Sequence, residues 1–218
     1  MIFNNLGLTS YQEAYEIQKK TVQKVLQGGE DELIICSHNP VVTLGKKSTP
    51  EDLSGWIGEV VTIERGGKAT YHGPGQVIIY PIINLRTKGQ NIAGFLEAME
   101  GSMIEVLNSM GFSARGNDER GKPDFTGVWV ETPQGAKKIA SIGVAVKRWI
   151  SFHGLAFNLL RDPNAFKGIS PCGFTPDTMI SLEDLARTAP EREDFEKKLI
   201  SKLAQNVQEL TLPTTPHS

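Results

Sequence analysis

The chain has 218 residues, 39% of them hydrophobic and 22% charged, with a formal net charge of −2. That length suits one sizeable core and is short for two, so a single domain over 1–218 is expected. The near balance of charge excludes a nucleic-acid binder that works through a clustered basic face, and no stretch reaches the roughly 18 apolar residues of a membrane span.

Taken in order, Ser10 with Glu13 three residues on has the form of a capping box. Ala14, Ile17, Val22, Val25 and Leu26 then recur at helical spacing until Gly28-Gly29. Leu33–Cys36, Val41–Leu44 and Val60–Ile63 are short apolar runs of strand length. The segment from Arg65 to Gln76 holds four glycines and a proline, which lets backbone turn sharply or approach a ligand closely. A helix does not follow it: Val77–Ile83 reads as a buried strand, so this is neither a Walker loop nor a dinucleotide fingerprint. Pro81 inside that run points to an edge position or a bulge.

Asn91 to Met110 reads as a helix with Ile92, Phe95, Leu96, Met99, Met103, Val106, Leu107 and Met110 on one stripe, ended by Gly111. Phe112–Arg115 is a possible strand, and Gly116–Phe125 a polar loop whose tip is expected to be mobile. Gly127–Val130 starts a strand, and residues 131–136 turn it into two long alternating runs between Lys137 and Asn158. In the first run Lys138, Ala140 and Ile142 would face one way and Ile139, Ser141 and Gly143 the other. An irregular stretch follows through Cys172 to about Met179, then a short helix capped at Ser181, a long one over Glu191–Leu210, and a frayed tail from Thr214. Helices and strands do not alternate regularly, which argues for an α+β fold around a mixed, mostly antiparallel sheet flanked by helices.

Cys36 and Cys172 are the only cysteines. Neither has disulfide or zinc spacing, so a reducing, cytoplasmic setting and no metal are expected. Cys36 sits in an apolar run and reads as a buried small hydrophobe. Cys172 lies in a turn between Pro171 and Gly173, where a core residue is not expected. A nucleophilic thiolate needs such an accessible, electropositive place, although a half-buried loop thiol would look the same. Lys138 is either a solvated edge charge or, in a desolvated pocket, a group that favours a thiolate and moves protons. His72 and His153, each followed by glycine, lack a partner at zinc spacing, and either could be structural. Residues 61–150 hold 11 Lys/Arg against 8 Asp/Glu, an excess that would suit a small acidic protein partner.

The segments RGGKATYHGPGQ at 65–76, KIASIGVAV with SFHGLAFN within 138–158, and PCGF at 171–174 resemble, in register, the lipoyl(octanoyl) transferase family. HNPVVTLGK at 38–46 and GVWV at 127–130 fit the same family in the same order, and the resemblance covers about residues 8 to 190. It implies the fold of the lipoate and biotin protein ligases and a cysteine/lysine acyltransferase. Cys172 would take an octanoyl group from the thioester of acyl carrier protein, with Lys138 favouring the thiolate and assisting proton transfer. The acyl and substrate site would be lined by Arg65, Gly66, Gly67, Lys68, Ala69, Thr70, Tyr71 and His72, by Ser141, Ile142 and Gly143, and by His153, Gly154, Leu155 and Ala156. Ile142 and Leu155 would wall a tunnel for the chain.

The implied acceptor is a lysine of a lipoyl domain of the 2-oxoacid dehydrogenase complexes or of the glycine cleavage H protein. No cofactor beyond the carrier's phosphopantetheine arm, no nucleic acid and no membrane are implied. An ATP-dependent lipoate or biotin ligase, a cysteine thioester hydrolase and a non-catalytic module that binds the carrier are the rival readings.

Overall fold

The computed structural model describes residues 1–117, 125–188 and 190–210. In chain order the strands are β1 (Ile2–Thr9), β2 (Glu32–His38), β3 (Val41–Leu44), β4 (Glu59–Thr62), β5 (Thr70–His72), β6 (Gln76–Ile82), β7 (Ala114–Arg115), β8 (Gly127–Thr132), β9 (Gly135–Lys147) and β10 (Ile150–Asn158). The helices are α1 (Tyr11–Leu26), α2 (Ile92–Ser109), α3 (Leu182–Ala186) and α4 (Arg192–Gln208). Seven strands form a mixed sheet in the order β1-β2-β6-β10-β9-β8-β7, and three more form a small sheet, β4-β3-β5. In the large sheet only β1 and β2 run parallel. In the small one β3 is parallel to β4 and antiparallel to β5. This is the α+β arrangement that the irregular order of elements implied. The loop tip expected near Gly121 and the tail expected from Thr214 lie outside the described residues.

Hydrophobic spacing explains which helix covers which face. Ser10 Oγ accepts from the Glu13 amide at 3.2 Å, while the Glu13 carboxylate accepts from Thr9 Oγ1 at 2.8 Å, so half of the expected capping box forms. Ala14, Val22 and Val25 of α1 then bury against Ile34, Cys36, Ile78 and Ile82 on one face of the sheet. On the opposite face α2 and α4 meet Leu33, Ile79, Val128 and Phe157 through Phe95, Met99, Met103, Leu199 and Leu203. The Phe157 and Phe195 rings, 4.5 Å apart, join sheet to helix. Ile92, on the predicted stripe, is 38% exposed because it opens the first turn of α2.

Two local expectations meet irregular backbone. In β9 the register slips by one residue, Val128 pairing Ala140 and Trp129 pairing Lys138, so Ile139 is the extra residue of a bulge. Strict alternation therefore stops there, and Ile139 and Ala140 both join the core cluster on the α2 and α4 face.

Pro81, for its part, lies in β6, an inner strand rather than an edge. Pairing between β6 and β10 runs only from Leu155↔Ile79 to Asn158↔Gln76. Beyond it the Ser151 side chain takes over: Oγ donates to Pro81 O at 2.6 Å and accepts from the Ile83 amide at 3.0 Å. The strand bows outward at His153, whose φ is +57°, and Gln18 Oε1 accepts the His153 amide at 2.9 Å. A Cβ on Gly154 would stand 2.1 Å from Ile79 O and 2.6 Å from Pro81 Cδ, so only glycine fits at the bow.

Ser151→Ala removes the one acceptor the Ile83 amide has at this gap. A buried donor left unsatisfied costs about 1–3 kcal/mol. The expected result is a lower urea midpoint at unchanged slope, read by circular dichroism; an unaltered midpoint would show that the hydroxyl bridge does not hold the bow.

Candidate active site

The bow in β10 opens a cavity between the two sheets. The empty space there comes to about 540 Å³ with the open mouth included, and little of it is enclosed. One wall is the start of the glycine-rich segment. Arg65, 6% exposed, donates from Nη2 to Thr43 O and Oγ1 at 2.8 and 2.9 Å and from Nη1 to Gly66 O at 2.9 Å. Its Nε is buried without a hydrogen-bond partner among the described residues. Glycines allow this packing: a Cβ on Gly45 would lie 2.4 Å from Gly67 O and 2.8 Å from Arg65 Nη1, and one on Gly143 would lie 3.1 Å from Arg65 Cδ.

Cys172 sits in the short turn Pro171–Gly173 with φ +55° and ψ +22°, the left-handed region that a side chain disfavours. Its amide donates to Ala69 O at 2.9 Å, which docks the turn onto the glycine-rich segment. The thiol is half-buried and lines the cavity, whereas Cys36 is 2% exposed and its thiol is pushed far up by burial. The Arg65 guanidinium is lowered from its ordinary range, chiefly by burial, and the neighbouring Cys172 opposes that shift.

Lys138 is wholly buried. Its Nζ lies 5.5 Å from the Trp129 ring centroid and 5.6 Å from that of Phe174, two residues past the cysteine. Rings of Phe125, Trp129 and Phe174 pack edge-on or stacked with centroids 5.0–5.5 Å apart, forming an aromatic box. Behind it Glu100 accepts the Gly127 amide at 2.8 Å; burial raises its carboxyl, against the opposing pull of the Gly127 and Asn117 amides and then of Lys138. The Lys138 carbonyl takes the Ile180 amide at 3.1 Å, tying the segment after the cysteine to β9.

Arg65, Gly66, Gly67, Thr70 and His72, with Ser141–Gly143, His153–Ala156 and Cys172, share the cavity wall. Ile142 and Leu155 are among them. Ala69 and Tyr71 do not share it: alternation in β5 turns them to the other side, against Val42, Phe166 and Ile169, where Tyr71 Oη donates to Asp162 Oδ2. Lys68 lies outside it across Gly173, and Lys138 in the aromatic box. Tyr11, Ile63, Tyr80 and Thr126 line the cavity too. None carried a local signal; Tyr11 reads as the first residue of an amphipathic helix and Tyr80 as part of a buried strand.

The polar floor is a histidine and tyrosine cluster. His38 Nδ1 hydrogen-bonds Thr9 O at 3.1 Å and its Nε2 meets Tyr80 Oη at 2.7 Å. With Nδ1 as the donor, Nε2 accepts from the phenol. Tyr11 stacks on His72 at 6.0 Å and reaches His153 Nδ1 at 3.4 Å. Burial holds these imidazoles neutral: His38 and His153 fall to about 4, and His72 lies well below its ordinary value.

That neutrality fixes a pH dependence. The folded values of His38 and His153 lie below the ordinary 6.5, so between about pH 6.5 and 4 the unfolded chain binds more protons. Stability is thus fully present above the window and is lost as pH falls through it, on the order of 3 kcal/mol per histidine at most. Urea midpoints measured from pH 7 to 4 should drop steadily. A flat profile would mean that these rings are protonated in the native protein.

The profile of the lipoyl protein ligase A/B catalytic domain matches residues 10–204. The octanoyltransferase of Bdellovibrio bacteriovorus is 39% identical over 218 residues, covering 94% of this chain and 98% of that protein. In fold, the bipartite lipoate protein ligase of Thermoplasma acidophilum superposes with a TM-score of 0.69 at 16% identity, over 95% of this chain and 83% of its own. The biotin protein ligase of Aquifex aeolicus follows with a TM-score of 0.55 at 10% identity, over 96% and 70%. The architecture is therefore that of lipoate and biotin protein ligases, and the chain belongs to the octanoyltransferase family, acyltransferases within the lipoyl protein ligase A/B catalytic domains.

Proposed function

We propose that the chain transfers an octanoyl group from octanoyl-acyl carrier protein, by way of a thioester on Cys172, to a lysine of a lipoyl domain or of the glycine cleavage H protein. The observation that carries this reading is the placement of Cys172. In a chain of the octanoyltransferase family, the half-buried thiol stands on a strained turn in the wall of a cavity that Ile142 and Leu155 share. Strain at such a position favours a chemical role over a structural one.

In the first transfer the Cys172 thiolate attacks the carrier's thioester carbon, a new C–S bond forms, and the carrier's thiolate leaves and takes up a proton. In the second, the neutral amine of the acceptor lysine attacks the acyl-enzyme, the C–S bond breaks as the amide forms, the thiolate returns, and the proton lost by the nitrogen passes to Lys138, which gave one up to the carrier's thiolate in the first transfer. Thioester exchange is close to thermoneutral and aminolysis runs downhill, so neither step calls for ATP or a further cofactor. Lys138 is assigned the proton traffic. Its support is its complete burial in the aromatic box that Phe174 brings within two residues of the cysteine. A reducing compartment such as the cytoplasm suits a thiol that must stay free, and among the described residues no helix is long and apolar enough to cross a membrane.

Intact-mass measurement after incubation with octanoyl-acyl carrier protein is the test. The expected result is one octanoyl adduct on Cys172 that disappears when a lipoyl domain is added. Cys172→Ser should abolish adduct and transfer, and Lys138→Arg should slow both, by about 10²–10⁴-fold if it serves as the general acid or base. Dependence on ATP would instead mark a ligase, release of free octanoate a hydrolase, and no mass change a binding module.

A further inference from the structure

We propose that Lys68 supplies the hydrogen-bond donor for the oxyanion formed when Cys172 attacks a thioester. The inference rests on the thiol chemistry proposed above. Backbone amides beside the nucleophile are the usual donors in acyl transfer, and a glycine-containing turn invites that expectation. Here those amides are already committed. Cys172 donates to Ala69 O at 2.9 Å, Gly173 to Ser170 O at 3.1 Å and Phe174 to Pro171 O at 2.9 Å. Across the cavity the Gly66 amide is likewise taken, by Val144 O at 3.3 Å. The turn that carries the sulfur has no amide to offer an oxyanion without coming apart.

Lys68 fills that place. Gly173, at φ +82°, carries no side chain, and a Cβ built on it would stand 2.9 Å from Lys68 Nζ, 3.3 Å from Cδ and 3.6 Å from Cε. The lysine stem therefore lies flat over the glycine, with its ammonium beside the residue that follows the nucleophile. The backbone hydrogen bond from Cys172 to Ala69, the residue after Lys68, fixes this juxtaposition. Lys68 is half-buried, and among the described residues no hydrogen bond or ion pair engages its ammonium. Three free donors on a compact charge are what a developing oxyanion needs.

The other cations near the thiol are placed for different work. Arg65 spends both terminal nitrogens on Thr43 and Gly66, and its Nε faces Gly143 on the inner wall, 3.9 Å from a Cβ built there. Lys138 stands among the rings of Trp129 and Phe174. In the step itself the sulfur's electron pair forms the C–S bond and the carbonyl π pair moves to oxygen, where Lys68 Nζ–H meets it. Collapse restores the carbonyl and expels the carrier thiolate, which takes the proton that left Cys172.

Two reagents separate an oxyanion donor from a residue that only favours the thiolate. Acylation of Cys172 by p-nitrophenyl octanoate passes through an oxyanion, and alkylation by iodoacetamide does not; both are followed by intact mass, with Cys172→Ser locating the adduct. Lys68→Gln should slow acylation about 10²–10³-fold and leave the alkylation rate unchanged across pH. Lys68→Arg should restore most of the acylation rate. Equal slowing of both reactions would overturn the proposal by making Lys68 a thiolate partner. Unchanged acylation would overturn it too and leave Arg65 Nε as the cationic donor, and a wild-type thiol that alkylates but resists the ester would mean that no oxyanion donor is in place. A wild-type protein that the ester acylates, but that carries nothing from octanoyl carrier to lipoyl domain, would sink the proposed function and leave the role of Lys68 standing.

Discussion

One hydrogen bond, from the Cys172 amide to the Ala69 carbonyl at 2.9 Å, holds the site together. It is the clamp between a turn that has no regular structure of its own and a segment locked into the small sheet by β5. Through it the sulfur is placed against the cavity that the bowed strand β10 opens, and Lys68 is laid over Gly173. The turn is three residues long and has no core of its own, so the backbone pair fixes where it sits. A backbone hydrogen bond is a strong, directional contact for so short a turn.

The fold supplies the stage and the site supplies the chemistry. The same architecture serves a lipoate protein ligase and a biotin protein ligase at 16% and 10% identity. What differs must therefore be sought in side chains. In this chain the polar floor is built from imidazoles and phenols held neutral by burial. The cations nearest the thiol are Arg65, buried in the cavity wall, and Lys68, laid over Gly173, and their sign would suit a thiolate.

Much of this was legible in the order of residues, and the failures have physical causes. Helices α2 and α4 were readable because a stripe of apolar residues at helical spacing has no other stable use. The cysteine turn, the glycine-rich segment and the two HG pairs stood out because glycine, proline and histidine interrupt the apolar runs, and the structure sets Arg65, Thr70, His72, His153, Gly154 and Cys172 on one cavity wall. The environment of Lys138 was not, because the bulge at Ile139 breaks the alternation on which any facing argument rests. Strand β1 went unread: its asparagines and Gly7 interrupt the apolar pattern, and its pairing itself skips between Asn5 and Leu8. The tight turn between β9 and β10 places Arg148 and Trp149 at φ +50° and +66°, where glycine or asparagine would have announced it. Tyr11 and Tyr80 reach the cavity only through tertiary packing, which no local pattern encodes.

The left-handed backbone at Cys172 carries a meaning for how this chain changes over generations. A non-glycine residue held there costs roughly 1 kcal/mol or more of folding free energy, and glycine would relieve it. Drift toward a sturdier molecule would therefore press on the sulfur, as on the other non-glycine residues of positive φ such as Trp149 and His153. Backbone preference alone would not keep a cysteine at this position.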